Sequence, residues 1–402
     1  MTEQPHVLII VENLPAPPDY RVWTIARSLR DDGWRVSIIC PSGPQCPRGA
    51  FTIDGIAVLR HALPAEGCSL LHYAREYLAA LWHQLWLSVR VWHRARFHVI
   101  HACNPPDLIW IIGLLWRMRG VRFVYDHHDL CPELILAKAG CRAPAELPPS
   151  GRLLYRLMRV LERLTHQCAR LVIATNDSYR KISIERDGAP PGNVHVVRTG
   201  PRMHEIDALA GVAPAPPPVP RIAYVGVMGR QDGVDGLIRT AHYLRNGCGC
   251  RFELLLMGDG AERADLERLA RGLGVRDIVS FAGFVPRDEM LKQLKNCTVG
   301  VTPDPPGPMN SASTMLKVLD YMVAGLPQVM YDLPENRVTA GNAAVYVEPG
   351  DERALAQKLA GVLSNEELRQ QLRDAASERV RTCAWEASGG PALIAAYAAL
   401  RP

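Results

Sequence analysis

Residues 213–220 read Ala213-Pro-Ala-Pro-Pro-Pro-Val-Pro220, and what stands on either side of them decides the fold. So proline-rich a stretch is a stiff connector and cannot be a core element. Downstream of it, short apolar strands recur at 222–225, 253–257, 299–301 and 327–330, with amphipathic helical segments between them. Upstream the same alternation is already complete. Residues 7–11 form a buried strand, 14–20 a proline-rich loop, and Val22, Ile25, Ala26 and Leu29 recur at helical spacing until Gly33 stops them. Strands at 36–40, 99–101, 123–125 and 171–174 follow. Strands separated by helices build parallel sheets covered on both faces, so the expected class is α/β with two doubly wound units. The expected boundaries are a first domain at 1–205, a linker at 206–220, a second domain at 221–384, and a C-terminal helix at 385–402 returning to the first domain. From 353 to 400 the chain reads as helix throughout, with a break at Gly389-Gly390-Pro391.

Composition narrows the class. The 402 residues are 48% hydrophobic and 22% charged, the balance of a globular chain, which excludes intrinsic disorder and collagen. No apolar run approaches the roughly 20 residues needed to span a bilayer. The chain opens Met-Thr-Glu-Gln and enters its first strand too early for a signal peptide. Eleven cysteines are scattered, Cys248-Gly-Cys250 is too tight for the usual zinc spacing, and an odd count suits reduced thiols. A cytoplasmic protein is expected. The net charge of +5 is unevenly spread: residues 1–205 carry 25 Lys and Arg against 18 Asp and Glu, and the remainder 21 against 23. A basic first half is drawn to polyanions or anionic membranes.

Residues 70–97 hold Trp82, Trp86 and Trp92 with Arg90, Arg94 and Arg96, and Glu76 is their only acid. Residues 108–119 add Trp110, Trp116, Arg117 and Arg119. Aromatic and basic residues on long apolar helices are the composition of a segment lying in a membrane interface, and also of sheet-covering helices with tryptophan in the core. The basic excess favours membrane contact for Trp82, Trp86, Arg90, Trp92, Arg94 and Arg96. Nucleic acid is not expected as a partner, because these cations lie among tryptophans with no recognition motif.

Three motifs carry chemistry. Gly226-Val-Met-Gly229-Arg230-Gln-Asp-Gly233 links a strand to a helix, where backbone amides meet a phosphate or simply permit close packing. Asn310-Ser-Ala-Ser313-Thr314-Met315-Leu316-Lys317-Val-Leu-Asp320 reads as a loop and a helix capped by Ser313 or Thr314. Lys317 and Asp320 then share a face near the helix start, suiting a diphosphate and a ribose diol, or pairing with each other on the surface. Tyr125-Asp126-His127-His128-Asp129-Leu-Cys-Pro132-Glu133 follows a strand. Adjacent histidines seldom both reach one ion, so orienting a substrate is the better reading than metal binding.

Together these residues resemble the family-4 retaining glycosyltransferases, in particular the bacterial surface-polysaccharide and O-antigen branch that includes L-fucosamine-type transferases. The likeness is carried by 313–327 with Asp332-Leu-Pro-Glu335-Asn-Arg337, by Glu12-Asn13-Leu14-Pro15 with Asp19-Tyr-Arg21-Val22, by His101-Ala-Cys-Asn104-Pro-Pro-Asp107, and by Asp126-His-His-Asp129 with Pro132-Glu133. Asn176-Asp-Ser178-Tyr and Val196-Val-Arg198-Thr-Gly200-Pro201 extend it over essentially the whole chain.

The resemblance implies a GT-B fold, two Rossmann-like domains facing across a cleft, and metal-free transfer with retention, the leaving diphosphate helping to deprotonate the acceptor. It implies donor binding by Gly229, Arg230, Ser313, Thr314, Met315, Leu316, Lys317 and Asp320, with Asp320 on the ribose. It implies catalytic roles for His128 and Asp129, and a cleft lined by Asp19, Arg21, Asn104 and Glu133. Three positions depart from the family: Ala312 stands where many members carry Glu, Val227 where they carry Arg, and Asp232 where they carry Lys. Lys317 and Arg230 are the natural substitutes. The expected activity is sugar transfer from a nucleotide diphosphate donor, UDP ahead of GDP, to a lipid-linked or glycan acceptor at the inner face of the cell membrane, with no cofactor and no metal. A sugar-nucleotide epimerase on the same fold and a non-catalytic nucleotide- or glycan-binding scaffold are the alternatives.

Overall fold

The computed structural model describes residues 4–43, 45–62, 70–105, 107–215 and 217–401. Residues 1–3, Pro106, Pro216 and Pro402, used above, lie outside them, as does the side chain of Glu76. In chain order the first elements are β1 (His6–Ile10), α1 (Tyr20–Asp31), β2 (Arg35–Pro41), β3 (Gly49–Ile53), β4 (Ile56–His61), α2 (Leu70–Arg94) and β5 (Val99–Cys103). Next come α3 (Trp110–Arg117), β6 (Arg122–His127), α4 (Cys131–Ala139), α5 (Pro149–Cys168), β7 (Leu171–Ala174), α6 (Asp177–Lys181), β8 (Val194–Val196) and α7 (Met203–Ala210). Past the linker lie β9 (Arg221–Val225), α8 (Val234–Asn246), β10 (Glu253–Met257), α9 (Arg263–Gly272), β11 (Val279–Gly283), α10 (Arg287–Lys295) and β12 (Val299–Thr302). The chain ends with α11 (Pro308–Ala312), α12 (Leu316–Val323), β13 (Gln328–Tyr331), α13 (Pro334–Ala340), β14 (Ala344–Val347), α14 (Glu352–Ser364), α15 (Glu366–Cys383) and α16 (Gly389–Ala398).

Two compact units result. The first comprises Met1–Pro132, Pro149–Thr199 and Gly389–Pro402; the second Glu133–Pro148 and Gly200–Ser388. Compared with the boundaries expected above, the division falls at 199/200 and the second unit also takes in Glu133–Pro148.

The first unit is built on an eight-stranded sheet, β3-β4-β2-β1-β5-β6-β7-β8, parallel except for the antiparallel β3–β4 pair. Val7 registers with Val36 on one side and Val99 on the other, and every residue of β1 is buried, as a central parallel strand requires. Strand order reverses between β1 and β5. Crossovers on the β5 side run the opposite way from the β1–β2 crossover, so right-handedness puts α2, α3 and α5 on one face and α1 on the other. Asp19 caps α1 by accepting from the Val22 amide at 2.9 Å, and Val22, Ile25, Ala26 and Leu29 are buried beneath it. α16 packs against α1.

The second unit holds a six-stranded parallel sheet, β11-β10-β9-β12-β13-β14, reversing between β9 and β12. Alternate residues of β9 feed two cores: Ile222 and Tyr224 pack with Val234, Leu237 and Ile238, and Ala223 packs with Val318, Tyr321 and Met322. Two glycines permit the turns at the strand ends. Gly233 has φ +68° and an added Cβ would lie 2.2 Å from the Pro303 carbonyl oxygen; Gly258 has φ +140° and its Cβ would lie 1.8 Å from that of Gly226.

Some expectations change. β3, β4, β8, β11 and β14 are additional strands. Gly389-Gly390-Pro391 does not break a helix but opens α16; the breaks lie at Asn365, which caps α15, and between Cys383 and Gly389. Proline suits the first turn, where no intrahelical N–H bond is lost.

Candidate active site

In the first unit the loops after β1, β5 and β6 meet where the strand order reverses, the usual place for a ligand on an open α/β sheet. Asp126 is the hub. Arg21 grips it in bidentate fashion, Nη2 to Oδ1 at 2.7 Å and Nε to Oδ2 at 3.0 Å, and spends Nη1 on the Val197 carbonyl and the Thr199 hydroxyl. His101 Nε2 lies 3.4 Å from Asp126 Oδ2, and the Tyr397 hydroxyl 2.6 Å from His101 Nδ1. Burial alone would raise the Asp126 carboxyl; Arg21, His101 and His128 outweigh it and hold the group well below the usual carboxylate range. Asp126 and His128 are two residues apart at the end of β6. His128 Nδ1 is 3.8 Å from Asp126 Oδ2 and has no hydrogen-bond partner among the described residues. Burial opposes its protonation, but Asp126 and Asp129 more than compensate and raise its pKa.

Asn104 fixes the loop that carries His128. Its Oδ1 accepts from the amides of His128 (2.8 Å) and Asp129 (3.1 Å), and its Nδ2 donates to the Asp129 carbonyl at 2.6 Å. Asn104 and Arg21 are therefore buried holders of the site, not lining residues. Asp19 is likewise buried in its capping role, and Asp129 accepts from Asn13 at 3.4 Å. Glu133 is buried in α4 and counts with the second unit.

Strand alternation separates the two adjacent histidines. His127 sits 3.2 Å from Glu162 and 3.3 Å from Ser183, in a buried network with His166 and Asp187. His101, Cys103 and Asp126 bring ligand-type atoms within 4.8 Å of one another. Arg21 pairs with both Asp126 oxygens, and the Tyr397 hydroxyl lies at His101 Nδ1.

In the second unit the loops after β9 and β12 meet at its own reversal point. Lys317 is buried and paired with Asp304 through both carboxylate oxygens, at 2.8 and 3.0 Å, with its ammonium 4.8 Å from the Tyr224 ring centroid. Burial would lower its pKa; Asp304 and Asp232 raise it instead. Asp232 accepts from the Gly229 amide at 3.1 Å, and burial pushes it up to about 6 against the pull of Lys317. Asp320 accepts from Arg287 at 2.7 Å, which also holds Glu205 at 2.6 Å. It does not pair with Lys317, although the two share a helix. Burial raises the Asp320 carboxyl despite Arg287.

Neither Ser313 nor Thr314 caps α12. Ser313 closes the short α11 and donates to the Met309 carbonyl at 2.8 Å, and Thr314 Oγ1 lies 3.5 Å from Glu335. The residue before α12 is Met315, extended and with no side-chain cap, so no side chain closes the first turn at Leu316 and Lys317. Arg230 is exposed and borders a cavity of about 360 Å³ with Arg142, Arg239 and Gly140. A cavity of about 730 Å³ lies between the proline linker and α15 and holds none of these residues.

Sequence reasoning missed Asp304, Arg287, Glu205 and Tyr397. It also passed over Phe284, 82% exposed in the loop after β11; Val227, beside the glycine turn, and Leu316, at the start of α12, are exposed as well. Large apolar side chains left in solvent at strand ends were the available signal.

Of the residues assigned to membrane contact, Trp82 and Trp86 are 67% and 53% exposed. Trp92 is not. It is half-buried, packing 5.1 Å from the Phe97 ring and 4.9 Å from Trp116, which corrects its assignment. Arg90 stacks over Trp86 and Arg96 over Trp92, and Arg90, Arg94 and Arg96 are exposed. Leu114, Leu115 and Met118 beside α3, and Leu153, Leu157 and Val160 on α5, are exposed as well. Among the described residues no helix is long and apolar enough to cross a membrane.

Residues 18–200 match the glycosyl transferase 4-like domain and residues 219–365 the glycosyl transferases group 1 domain. Alpha-D-kanosaminyltransferase of Streptomyces kanamyceticus is 27% identical over 161 residues, 39% of this chain and only 40% of that protein. The 2-deoxystreptamine N-acetyl-D-glucosaminyltransferase of Streptomyces fradiae is 24% identical over 367 residues, 86% of this chain and 82% of that one. Sucrose-phosphate synthase of Thermosynechococcus elongatus superposes with a TM-score of 0.76 at 18% identity over 99% of both chains. HepE of Anabaena, in complex with UDP and glucose, superposes at 0.67 and 15% identity over 99% of this chain and 100% of that one. The fold is GT-B.

Proposed function

The chain is a glycosyltransferase with a 4-like domain followed by a group 1 domain, and from that premise we propose a retaining, metal-independent enzyme that uses a nucleotide diphosphate sugar, UDP ahead of GDP. The observation that carries this reading is the reversal point of the second sheet. There a glycine-backed turn, the uncapped first turn of α12 and the buried Asp320 come from neighbouring strands β9 and β12. Open amides at Leu316 and Lys317, at the positive end of the helix dipole, suit the leaving diphosphate. Asp320 suits the ribose diol, and the UDP bound by HepE supports the choice of nucleotide. Exposed Phe284 offers the base an apolar face. Lys317 is the cation of the donor site, held in place by Asp304.

During transfer the C1–O bond to the diphosphate breaks and a bond from C1 to the acceptor oxygen forms on the same face. The acceptor proton passes to the departing phosphate oxygen, and the fixed amides offset the charge that develops there. Asp126 keeps His128 charged or strongly polarised, and His128 with Asp129 contacts the transferred sugar.

The acceptor we propose is lipid-linked or a glycan, in surface-polysaccharide or glycoconjugate synthesis at the inner face of the cell membrane. The outward faces of α2, α3 and α5 support this. Trp82, Trp86, Met118, Leu153, Leu157 and Val160 stand among Arg90, Arg94, Arg117, Arg152, Arg156 and Arg163, and the only acid described within α2, α3 or α5, Glu162, is buried. The relatives' names favour a second reading, a small aminocyclitol acceptor. Incubation with UDP-sugars and either polyprenyl diphosphate-linked sugars or 2-deoxystreptamine decides between them. UDP release unaffected by chelator, with an α-linked product from an α-linked donor, is expected. An inverted product or chelator-abolished turnover overturns the mechanism, and transfer to 2-deoxystreptamine alone overturns the acceptor.

A further inference from the structure

The first-unit site contains a hydrogen-bonded chain that begins on the last helix of the protein. Tyr397 on α16 lies 2.6 Å from His101 Nδ1, their rings stack at 6.0 Å with an interplanar angle of 24°, and the Trp34 ring meets Tyr397 edge-on at 5.4 Å. Tyr397, His101 and Asp126 are all completely buried. Asp126, salt-bridged to Arg21, is an acceptor, so His101 Nε2 carries the proton it shares with Asp126 and Nδ1 is left as an acceptor. Tyr397 must then donate. Burial keeps its hydroxyl protonated, raising its pKa well above the ordinary value, which agrees with that direction. The chain therefore runs one way, Tyr397 O–H to His101 Nδ1 and His101 Nε2–H to Asp126 Oδ2, and ends 3.8 Å from His128 Nδ1.

We infer that Tyr397 and His101 are positioning residues of the sugar-transfer site, Tyr397 polarising the His101 ring so that its Nε2–H donates strongly to Asp126, and the pair so setting how much of the Asp126 charge is left for His128. The inference rests on the role proposed for His128. It makes α16, 296 residues distant from His101 in the chain, part of the site's proton economy. The charged and titratable groups facing His128 within this unit are Asp19 and Arg21 of α1, Asp126 and His127 of β6, and Asp129 of the following loop. Only Asp126 is reached by the chain.

Tyr397→Phe removes the donor and keeps both ring contacts. Without that bond the ring is less polarised, His101 Nε2–H donates more weakly to Asp126, and Asp126 becomes less neutralised. NMR titration of the His128 ring nitrogens in the full chain reads this without any sugar donor. The His128 midpoint is expected to rise by about half a pH unit or more, and Asp126→Asn should move it the other way. Turnover should fall about fivefold in Tyr397→Phe, the loss of one hydrogen bond, with its pH profile displaced in the same sense as the titration. An unmoved or lowered midpoint in Tyr397→Phe overturns the relay, whatever happens to stability. A raised midpoint with turnover and pH profile unchanged upholds the relay and instead removes His128 from the catalytic assignment.

Discussion

Lys317 shows how much of a site residue's meaning depends on partners far away in the chain. The helix start Ser313-to-Asp320 marks it as a phosphate ligand, but nothing near it announces Asp304, which takes two of its three N–H groups. Removing a buried cation leaves its carboxylate uncompensated, a cost of about 3–5 kcal/mol. Lys317→Met should therefore lower the unfolding free energy in urea by about that amount and weaken UDP binding by about 1.5–3 kcal/mol. The double variant Lys317→Met, Asp304→Leu should recover most of the stability and none of the affinity. Recovery of both would take Lys317 out of the donor site. Asp320 follows the same logic, since its partner Arg287 stands 33 residues earlier. Asp320→Asn should reduce UDP affinity at least tenfold in calorimetry, and an unchanged affinity would deny it the ribose. Motif spacing and the family resemblance brought Asp320 and His128 forward as candidates. Asp304, Arg287 and Tyr397 were not, because they belong to no shared local pattern and meet the site only through the fold.

Among the elements, most of the central parallel strands were readable as continuous apolar runs, and two of those missed explain themselves. β3 is an exposed edge strand and β11 is buried at only two of its five positions, so neither offers a sustained apolar run. The tryptophans of α2 sort by helical phase, which composition does not weigh. Trp82 and Trp86 are one turn apart and point outward, whereas Trp92 belongs with Trp116, whose indole N–H donates to Ser88 at 2.9 Å. Trp92→Ala is expected to cost about 3 kcal/mol or more of stability through the cavity it leaves. Trp82→Ala with Trp86→Ala should leave the melting temperature nearly unchanged and reduce sedimentation with vesicles of anionic phospholipid. Charge reversal at Arg90 and Arg94 should do the same. Membrane binding that survives all four changes would refer the apolar face to another purpose. The exposed face of α5 was hidden by its high basic content, which reads as an ordinary solvated helix until burial shows that Leu153, Leu157 and Val160 lie among the arginines.

For the whole molecule, the two units differ in how they respond to acid. Burial pushes His6 and His61 down to about 4 and His127 and His166 to about 3, all in the first unit. The unfolded histidines take up protons near 6.5, before the folded ones, so this stability is present at neutral pH and is lost as pH falls from about 6.5 through the folded values. The depressed Asp126 adds to the loss. Asp107 at about 7, Asp187 at about 6 and Asp19, also raised by burial, act oppositely, gaining stability as pH falls towards the unfolded carboxylate range, and offset part of the histidine loss. Each uncompensated proton is worth about 1.4 kcal/mol per pH unit. The second unit has Asp232, raised to about 6, which gains in acid. Hydrogen exchange between pH 6.5 and 5 should therefore show first-unit amides losing protection while those of the second unit keep theirs. Equal softening of both would contradict the assignment of these buried histidines. The central claim, a metal-free nucleotide-sugar site at the reversal point of the second sheet, is tested most directly by thermal shift with UDP, GDP, dTDP and CDP, each with and without chelator. UDP at 100 times its dissociation constant should add about 2.7 kcal/mol, undiminished by chelator and lost in Asp320→Asn; no shift with any nucleotide, or one that chelator removes, would contradict it.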